Sequence, residues 1–259
     1  MAEADAKGVV RAQFGANAEK YVTSSTHAQG TDLDLVVPWL DPQPDWVALD
    51  IATGGGHVAK ALSPKVATVV AADLTAPMLA AARRHLEGAG CRNVLYVAAD
   101  AEALPFLDAA FDCVTCRIAA HHFPDPPRFV AEVARVLKPG GRALLIDNVA
   151  PEEPDLAGFF NELEKMRDPS HIRCAPASEW RAWLAASGLT ERNARIGRKK
   201  HPFRDWVERT ATSPEQMAAV EAHALAASPA ARACFAIEAA GGRVVSWTAY
   251  DLTLLAEKA

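Results

Sequence analysis

Five short apolar runs rich in β-branched residues alternate with helical patterns between residues 46 and 149, and this alternation limits the fold more than any other feature of the chain. The intervening stretch APMLAAARRHLEGAG has a proline in its first turn, apolar residues at helical spacing and glycines at its end. Such alternation is typical of βα units on a parallel sheet. The predicted strands are WVALDIA, ATVVAAD, NVLYVAAD, FDCVTCRIA and RALLIDNVA. We therefore predict a doubly wound α/β domain.

A glycine-rich turn follows the first predicted strand in VALDIATGGGHVAKAL. Glycine lets a ligand approach backbone N–H groups without a Cβ in the way, so the turn predicts a site for an anionic or polar ligand. Gly54, Gly56 and Ala59 fit a loose G-x-G-x-x-A dinucleotide fingerprint. Asp73 ends the second strand, where a ribose-binding carboxylate belongs. A nicotinamide dinucleotide and S-adenosylmethionine both fit these residues.

Two further features favour S-adenosylmethionine. Asp50 lies at the mouth of the turn, where a carboxylate repels a pyrophosphate but can help hold a cationic amino-acid portion, directly or through water. Asp100 follows the third strand, and a small residue and a loop lead from it into the fourth.

Four motifs in the order seen here resemble those of class I S-adenosylmethionine-dependent methyltransferases, especially the small-molecule group similar to the ubiquinone/menaquinone C-methyltransferases. LDIATGGG matches the first motif, usually D-x-G-x-G-x-G, with Ala52 where glycine is commoner. AADLTAPML matches the second motif, AADAEALPF the third, and EVARVLKPGGRALLID the usual fourth-helix and fifth-strand segment. The resemblance extends from about residue 14 to residue 149.

The resemblance implies a Rossmann-like fold, with a seven-stranded, mostly parallel sheet, helices on both faces and a helical lid. We expect residues 1–45 to form the N-terminal helical lid and residues 46–150 the S-adenosylmethionine-binding core. Residues 151–259, here called the cap, are expected to add a helical substrate-covering insertion and the last two strands.

The resemblance also implies roles for single residues in the cofactor site. Asp73 would bind the ribose hydroxyls, with Leu74 and Met78 packing near the adenine. The Asp100 carboxylate would meet the adenine amino group, and the Ala101 N–H a ring nitrogen. The full predicted cofactor site is Tyr21, Asp50, Ala52, Gly54, Gly56, Asp73, Leu74, Met78, Asp100, Ala101 and Arg117.

The segment before the first strand carries Phe14, Ala18, Tyr21 and Val22 at near-helical spacing. It could simply pack on the sheet. In related methyltransferases a segment of this kind closes over the cofactor, so Tyr21 and Ser24 are candidates to touch the methionine end.

Candidate catalytic residues follow the fourth and fifth strands. His121 and His122 come after the fourth strand, and Asp147 ends the fifth. Neighbouring parallel strands end at the same edge of a sheet, about 4.8 Å apart, so a histidine–carboxylate pair can form there. We predict that His122 takes the acceptor's proton while Asp147 fixes its tautomer. His121 is the spare candidate, because adjacent side chains point apart.

The cap is expected to choose the substrate, as loops on a rigid scaffold often do. Its aromatic residues fit an apolar pocket for a flat or lipophilic acceptor, although core packing explains them equally well. The polar stretch MRDPSHIRC could be a pocket wall or a network that anchors the cap, and we favour the network.

Composition and short motifs exclude several other classes. The formal net charge of −5 gives no basic field for a nucleic acid, and we assign no such role to the short basic run GRKKHPFR. The N-terminus has no signal-peptide pattern, and no apolar stretch approaches the roughly 20 residues that span a bilayer. Five cysteines suit a reducing compartment, so we expect the cytoplasm. Cys113 and Cys116 should point to opposite faces of a strand, so we predict core filling and no metal site.

These observations together predict a methyltransferase that transfers a methyl group from S-adenosylmethionine to a small-molecule acceptor, leaving S-adenosylhomocysteine. Two alternatives remain open at this point. One is an NAD(P)-dependent oxidoreductase, which the dinucleotide fingerprint would serve. The other is a protein that binds S-adenosylmethionine without catalysis.

Overall fold

A twisted β-sheet forms the centre of the computed structural model, which describes residues 3–23, 30–211 and 213–259. Strands β1 to β5 run parallel, and β8 lies antiparallel between β5 and β6. The strand order is β3-β2-β1-β4-β5-β8-β6, with the short β7 paired to β8. The strands are β1 Val47–Ile51, β2 Thr68–Asp73, β3 Val94–Ala98, β4 Phe111–Arg117, β5 Leu137–Asn148, β6 Leu189–Pro202, β7 Glu238–Ala240 and β8 Arg243–Lys258.

The five predicted strands are all present, and the predicted fold class is confirmed. The strand path through the sheet contains seven strands, as expected. The described residues add β7, a three-residue strand that sequence patterning did not predict. It forms because two glycines with positive φ, Gly241 and Gly242, turn the chain back into β8.

Helices cover the sheet and precede it. They are α1 Glu3–Thr23, α2 Val36–Leu40, α3 His57–Leu62, α4 Ala76–Gly88, α5 Pro126–Val136, α6 Pro154–Arg167, α7 Ala177–Ala186, α8 Phe203–Glu208, α9 Pro214–Leu225 and α10 Pro229–Cys234. Short 3-10 turns occupy Leu33–Leu35, Ser63–Lys65 and Ala120–His122. In the part of the chain that the structure describes, no helix is both long and apolar enough to cross a bilayer.

The two faces of the sheet bury different helices because successive strand residues point to opposite sides. On one face, Leu49 packs in a core with Phe129 of α5 and Trp180 of α7. On the other, Ala48 packs in a core with Leu62 of α3 and Leu86 of α4. Cys113 and Cys116 of β4 divide between these two cores, which confirms the prediction that they point apart.

A third core lies within the cap and explains most of its aromatic residues. Phe160, Trp206, Phe235 and Trp247 are all at most 2% exposed, and the rings of Trp206 and Trp247 are 4.5 Å apart between centroids. Burying an aromatic side chain removes a large apolar area from water, so this cluster stabilises the packing of the cap's helices on β8. The sequence allowed these aromatic residues to line an acceptor pocket or to pack in a core, and for these four side chains core packing is the correct explanation.

The glycine turn between β1 and α3 contains three residues with positive φ, Ala52 at 51°, Gly54 at 54° and Gly56 at 81°. Left-handed backbone explains why glycine is commoner at the position of Ala52 in the resembling motif. At Gly56 there is also no room, because an added Cβ would lie 2.9 Å from Cδ1 of Leu86. The turn therefore needs glycine at Gly56 to bring α3 against α4.

We predict that Gly56→Ala destabilises the fold by about 2–4 kcal/mol, since it adds left-handed strain and a side-chain clash. Gly158→Ala is the matched control: Gly158 lies inside α6, and an alanine Cβ there would have nothing within 4 Å, so alanine should stabilise by about 0.5–1 kcal/mol. Urea unfolding of both variants measures these changes. An unchanged midpoint for Gly56→Ala would show that the turn tolerates a side chain.

Candidate functional site

A cavity opens at the carboxyl ends of the parallel strands, beneath α1. With its open mouth it measures about 1070 Å³, and all of its lining residues that the structure describes fall between Lys7 and Pro124. The structure brings these predicted site residues to its wall: Asp50, Ala52, Gly54, Asp73, Leu74, Met78, Asp100, Ala101, Arg117 and His122. Gly56 lies behind the wall, where it packs on Leu86. The side chain of Tyr21 and all of Ser24 lie outside the described residues.

Asp50 organises the glycine turn. It is 1% exposed, and its carboxylate accepts hydrogen bonds from the hydroxyl of Thr53 at 2.6 Å and from that of Thr115 at 2.7 Å. Burial raises the pKa of Asp50 to about 6, against the lowering effect of the two hydroxyls. Through these two bonds Asp50 ties the glycine turn, which leads from β1 to α3, to the neighbouring strand β4.

Asp73 ties the same turn to β2. Its two carboxylate oxygens accept the backbone N–H of Gly54 at 3.1 Å and that of Thr75 at 2.9 Å. Burial raises the pKa of Asp73, and these N–H groups partly offset that effect. A carboxylate offers about four lone-pair positions, so Asp73 can still accept a hydroxyl donor from the cavity beside its bonds to Gly54 and Thr75. That capacity fits a hydroxyl of a vicinal diol.

Asp100 faces the same cavity from the end of β3 and is bridged to α1. One of its oxygens accepts the N–H of Glu102 at 3.0 Å, and the other accepts the ammonium of Lys7 at 2.8 Å. Lys7 also pairs with Glu102 at 2.5 Å. Sequence reasoning missed Lys7, although Lys7, Val10 and Phe14 share one helical face and all three line the cavity.

The N-terminal helix α1 also packs on α4. Ala18 lies in a small core with Met78 and Ala81, and Glu19 forms an ion pair with Arg84. In the structure, α1 thus rests on a neighbouring helix and bounds the cavity at the same time.

The predicted pair of His122 and Asp147 is wrong, because Asp147 bonds to His121 instead. The Asp147 carboxylate lies 2.6 Å from Nδ1 of His121 and accepts the His121 backbone N–H at 2.9 Å. Both histidines belong to the 3-10 turn Ala120–His122, and their ring centroids lie only 4.1 Å apart, contrary to the expectation that adjacent side chains point apart. The turn directs His121 toward β5 and His122 toward the cavity. Asp147, which is 2% exposed, is therefore the hydrogen-bond partner of His121 and not of His122.

His122 is held by the stretch that the sequence predicted to be an anchoring network. Its Nδ1 lies 3.1 Å from the carbonyl oxygen of Ser170 and 3.3 Å from the Ser170 hydroxyl. The Phe14 ring packs edge-on against the imidazole, with 4.9 Å between ring centroids. Burial lowers the pKa of His122 to about 4, and the neighbouring His121 lowers it further. His122 is therefore neutral at pH 7.

The chain bends sharply where β4 ends at the cavity. Arg117 pairs with Asp32 at 2.5 Å, and the next residue, Ile118, has a φ of 52°. Positive φ at a β-branched residue is a genuine outlier, and such strain persists only where the surroundings fix it. The Ile118 N–H donates to the carbonyl of Ile146 at 2.7 Å, which holds the bend against β5. The bend turns the strand into the histidine-bearing 3-10 turn.

Comparison with known proteins decides the family. Residues 49–145 match a family model described as a methyltransferase domain. The chain is 39% identical over 224 residues to the uncharacterized methyltransferase YcgJ of Bacillus subtilis, covering 86% of this chain and 88% of that protein. The chain belongs to the methyltransferase family. This membership confirms the predicted methyltransferase function over the oxidoreductase alternative.

Two further relatives agree with this methyltransferase assignment. A demethylmenaquinone methyltransferase of Thermus thermophilus is 45% identical over 166 residues, which is 56% of this chain and 74% of that protein. The crystal structure of a Bacillus halodurans C-125 protein superimposes with a TM-score of 0.86 at 41% identity, covering 88% of this chain and 99% of the other. The superposition confirms the Rossmann-like methyltransferase fold over most of the chain.

The pair of His121 and Asp147 should make the methyltransferase's stability depend on pH. Burial acts to lower the pKa of His121, but the Asp147 carboxylate outweighs it and leaves the pKa above its usual 6.5. A group whose pKa is raised on folding contributes stability that is fully present below about pH 6.5 and is lost as pH rises through the folded-state value.

We predict that Asp147→Asn costs about 3–5 kcal/mol near pH 6, because it leaves a buried imidazolium without its partner, and costs less near pH 9. Urea unfolding of wild type and variant at both pH values gives the difference. Exposed Asp45→Asn is the control and should cost nothing at either pH. A cost for Asp147→Asn that stays constant or grows with pH would contradict a charged pair.

Proposed function

We propose that this methyltransferase uses S-adenosylmethionine as its methyl donor and a small molecule as its acceptor. The observation that carries the proposal is the single cavity wall on which the glycine turn, Asp73 and Asp100 meet. The donor's chemistry matches that wall: its ribose has two neighbouring hydroxyls, and its adenine carries an amino group. When bound, S-adenosylmethionine supplies a methyl group activated by a positively charged sulfur.

The chain's own residues would bind and orient this donor. Asp73 would bind the ribose hydroxyls with the lone-pair positions that its bonds to Gly54 and Thr75 leave open. Asp100 would accept a hydrogen bond from the adenine amino group, either beside its present bond from Lys7 or in place of it. Leu74 and Met78 would supply apolar contact for the ring. Holding donor and acceptor in line is the main part of such catalysis, because it removes the entropy cost of their encounter.

His122 is the group we propose to take a proton from the acceptor. It lines the cavity, it is neutral at pH 7, and it lies beyond the end of β4 on the side where Arg117 and Ile118 also face the ligand space. A general base must lie within hydrogen-bond reach of the proton that it removes. His122 shares the cavity with the glycine turn, so an acceptor bound there could come within its reach.

The acceptor side of the cavity favours a flat or lipophilic molecule. Val10, Phe14, Ile118 and Phe123 give this region an apolar lining. The name of the Thermus relative, a demethylmenaquinone methyltransferase, supports a ring acceptor of that kind. We also propose a cytoplasmic location, which the five free thiols support.

We predict that Asp73→Ala weakens binding of S-adenosylhomocysteine about ten- to hundredfold, since a hydrogen bond to a charged group contributes about 1.5–3 kcal/mol. Calorimetric titration measures the affinity, with Asp45→Ala, an exposed acid outside the cavity, as the matched control. A parallel titration with NAD(H) should give no binding. Wild-type affinity in a folded Asp73→Ala variant would refute the assignment of the donor site.

The proposed lid role of residues 1–45 makes a separate prediction. Because α1 bounds the cavity through Lys7, Val10 and Phe14, a bound ligand should make α1 open less often. We expect amide hydrogen exchange across α1 to slow when S-adenosylhomocysteine is added, while exchange in α9 of the cap stays the same. Exchange that is already slow without ligand and does not change would favour plain packing of α1 on α4.

A further inference from the structure

Three buried polar residues form a continuous hydrogen-bonded line from the cap to the cavity. Asp168, Ser170 and His122 are 5%, 1% and 8% exposed, although only His122 lines the cavity. The Ser170 hydroxyl donates to Oδ1 of Asp168 at 2.5 Å, and the Ser170 N–H donates to the same oxygen at 2.9 Å. The carbonyl and hydroxyl oxygens of Ser170 both lie beside Nδ1 of His122. Two of the three residues belong to a cap stretch outside the cofactor site.

These contacts determine which ring nitrogen of His122 carries the hydrogen. A carbonyl oxygen can only accept, so the 3.1 Å contact with Nδ1 requires a hydrogen on Nδ1. The Ser170 hydroxyl has only one hydrogen, which is already donated to Asp168, so it too can only accept from Nδ1. Nε2 is then the unprotonated nitrogen, on the edge of the ring away from Ser170.

We propose that Asp168 and Ser170 are positioning residues, which hold His122 in the tautomer with a basic Nε2 toward the cavity and stabilise the imidazolium once it forms. This inference rests on the proposed role of His122 as proton acceptor. It gives His122 a carboxylate partner, in place of Asp147, that acts through a serine and comes from the cap.

Atoms and electrons balance in the methyl and proton transfers that this arrangement serves. The acceptor's nucleophilic atom uses an electron pair to bond the methyl carbon, and the electron pair of the broken carbon–sulfur bond stays on sulfur. The proton of the acceptor passes to Nε2 of His122, while Nδ1 keeps its hydrogen bond to Ser170. The negative charge of the Asp168 carboxylate, which is separated from the ring only by the Ser170 hydroxyl, then stabilises the new positive charge.

The charges around His122 show why a partner is needed. His121 lies 4.1 Å away between ring centroids, and when it is protonated it disfavours a second positive charge on His122 and so lowers the pKa of His122. Against the effect of burial, His122 and Ser170 lower the pKa of Asp168, so Asp168 is charged at neutral pH. Phe14, from α1, is apolar. The titratable and charged groups of the cluster are His121, His122, Asp147, Glu164, Lys165, Arg167, Asp168 and His171.

The test is nitrogen-15 NMR of the histidine rings in the full chain, which needs neither donor nor acceptor. His122→Gln identifies the His122 signals. In wild type we expect the tautomer with hydrogen on Nδ1. Asp168→Asn keeps the size and an oxygen acceptor but removes the charge, so at a given pH the His122 imidazolium should become about tenfold less populated. Ser170→Ala should also lower the population of the His122 imidazolium and reduce the share of the Nδ1–H tautomer.

Asp155→Asn, an exposed acid in the first turn of α6, is the matched control and should leave both signals unchanged. If Asp168 had only a structural role, Asp168→Asn would lower the unfolding midpoint without changing the titration or the tautomer of His122. Wild-type His122 signals in both Asp168→Asn and Ser170→Ala, or hydrogen on Nε2 in wild type, would overturn the proposal. Loss of the donor assignment would show separately, as failure of wild type to bind S-adenosylhomocysteine.

Discussion

The hydrogen bonds of two buried aspartates to the glycine turn are the interactions on which the site depends. Asp50 joins the turn to β4 through the hydroxyls of Thr53 and Thr115, and Asp73 joins it to β2 through the N–H of Gly54. A buried carboxylate is costly unless it is hydrogen-bonded, so neither aspartate could keep its place if the turn moved. The left-handed backbone of the turn, which one alanine shares with two glycines, is fixed by the same bonds. The geometry of the cavity floor is therefore set before any ligand enters.

A second constraint operates where β4 leaves the sheet. The positive φ of Ile118 turns the chain, and the 3-10 turn that follows separates the environments of two adjacent histidines. His121 faces a carboxylate of β5, while His122 faces the cavity and is held by the cap. The cap is bonded to this turn by backbone groups as well, because Ile172 and Arg173 both donate to the carbonyl of His121. These bonds fix the cap to the turn that carries His122.

Local patterns in the sequence predicted the elements whose partners are nearby or set by parallel strand order. The five strands, the glycine turn and the placement of Asp73 and Asp100 belong to this group, since each depends on periodicity or on a motif at a strand end. The sequence could not predict the partner of His122, because side-chain directions on a 3-10 turn do not follow the strand rule and Ser170 is 48 residues away. Lys7 was missed for a related reason, since Asp100, its partner, is 93 residues away in sequence.

The arrangement changes where acceptor selectivity should be sought. The sequence pointed to the cap, but the described wall of the cavity is made by α1 and by the strand ends up to Pro124. The cap's large aromatic side chains are buried in its own core or, like Trp180, against the sheet. Packing in a close-packed core leaves little freedom to adapt to a ligand. Val10 and Phe14 of α1, together with Ile118 and Phe123, line this wall, so the acceptor site that we propose depends on them and not on the cap. In our proposal the cap contributes instead by orienting His122 through Ser170, so that acceptor shape and proton transfer would depend on different parts of the chain.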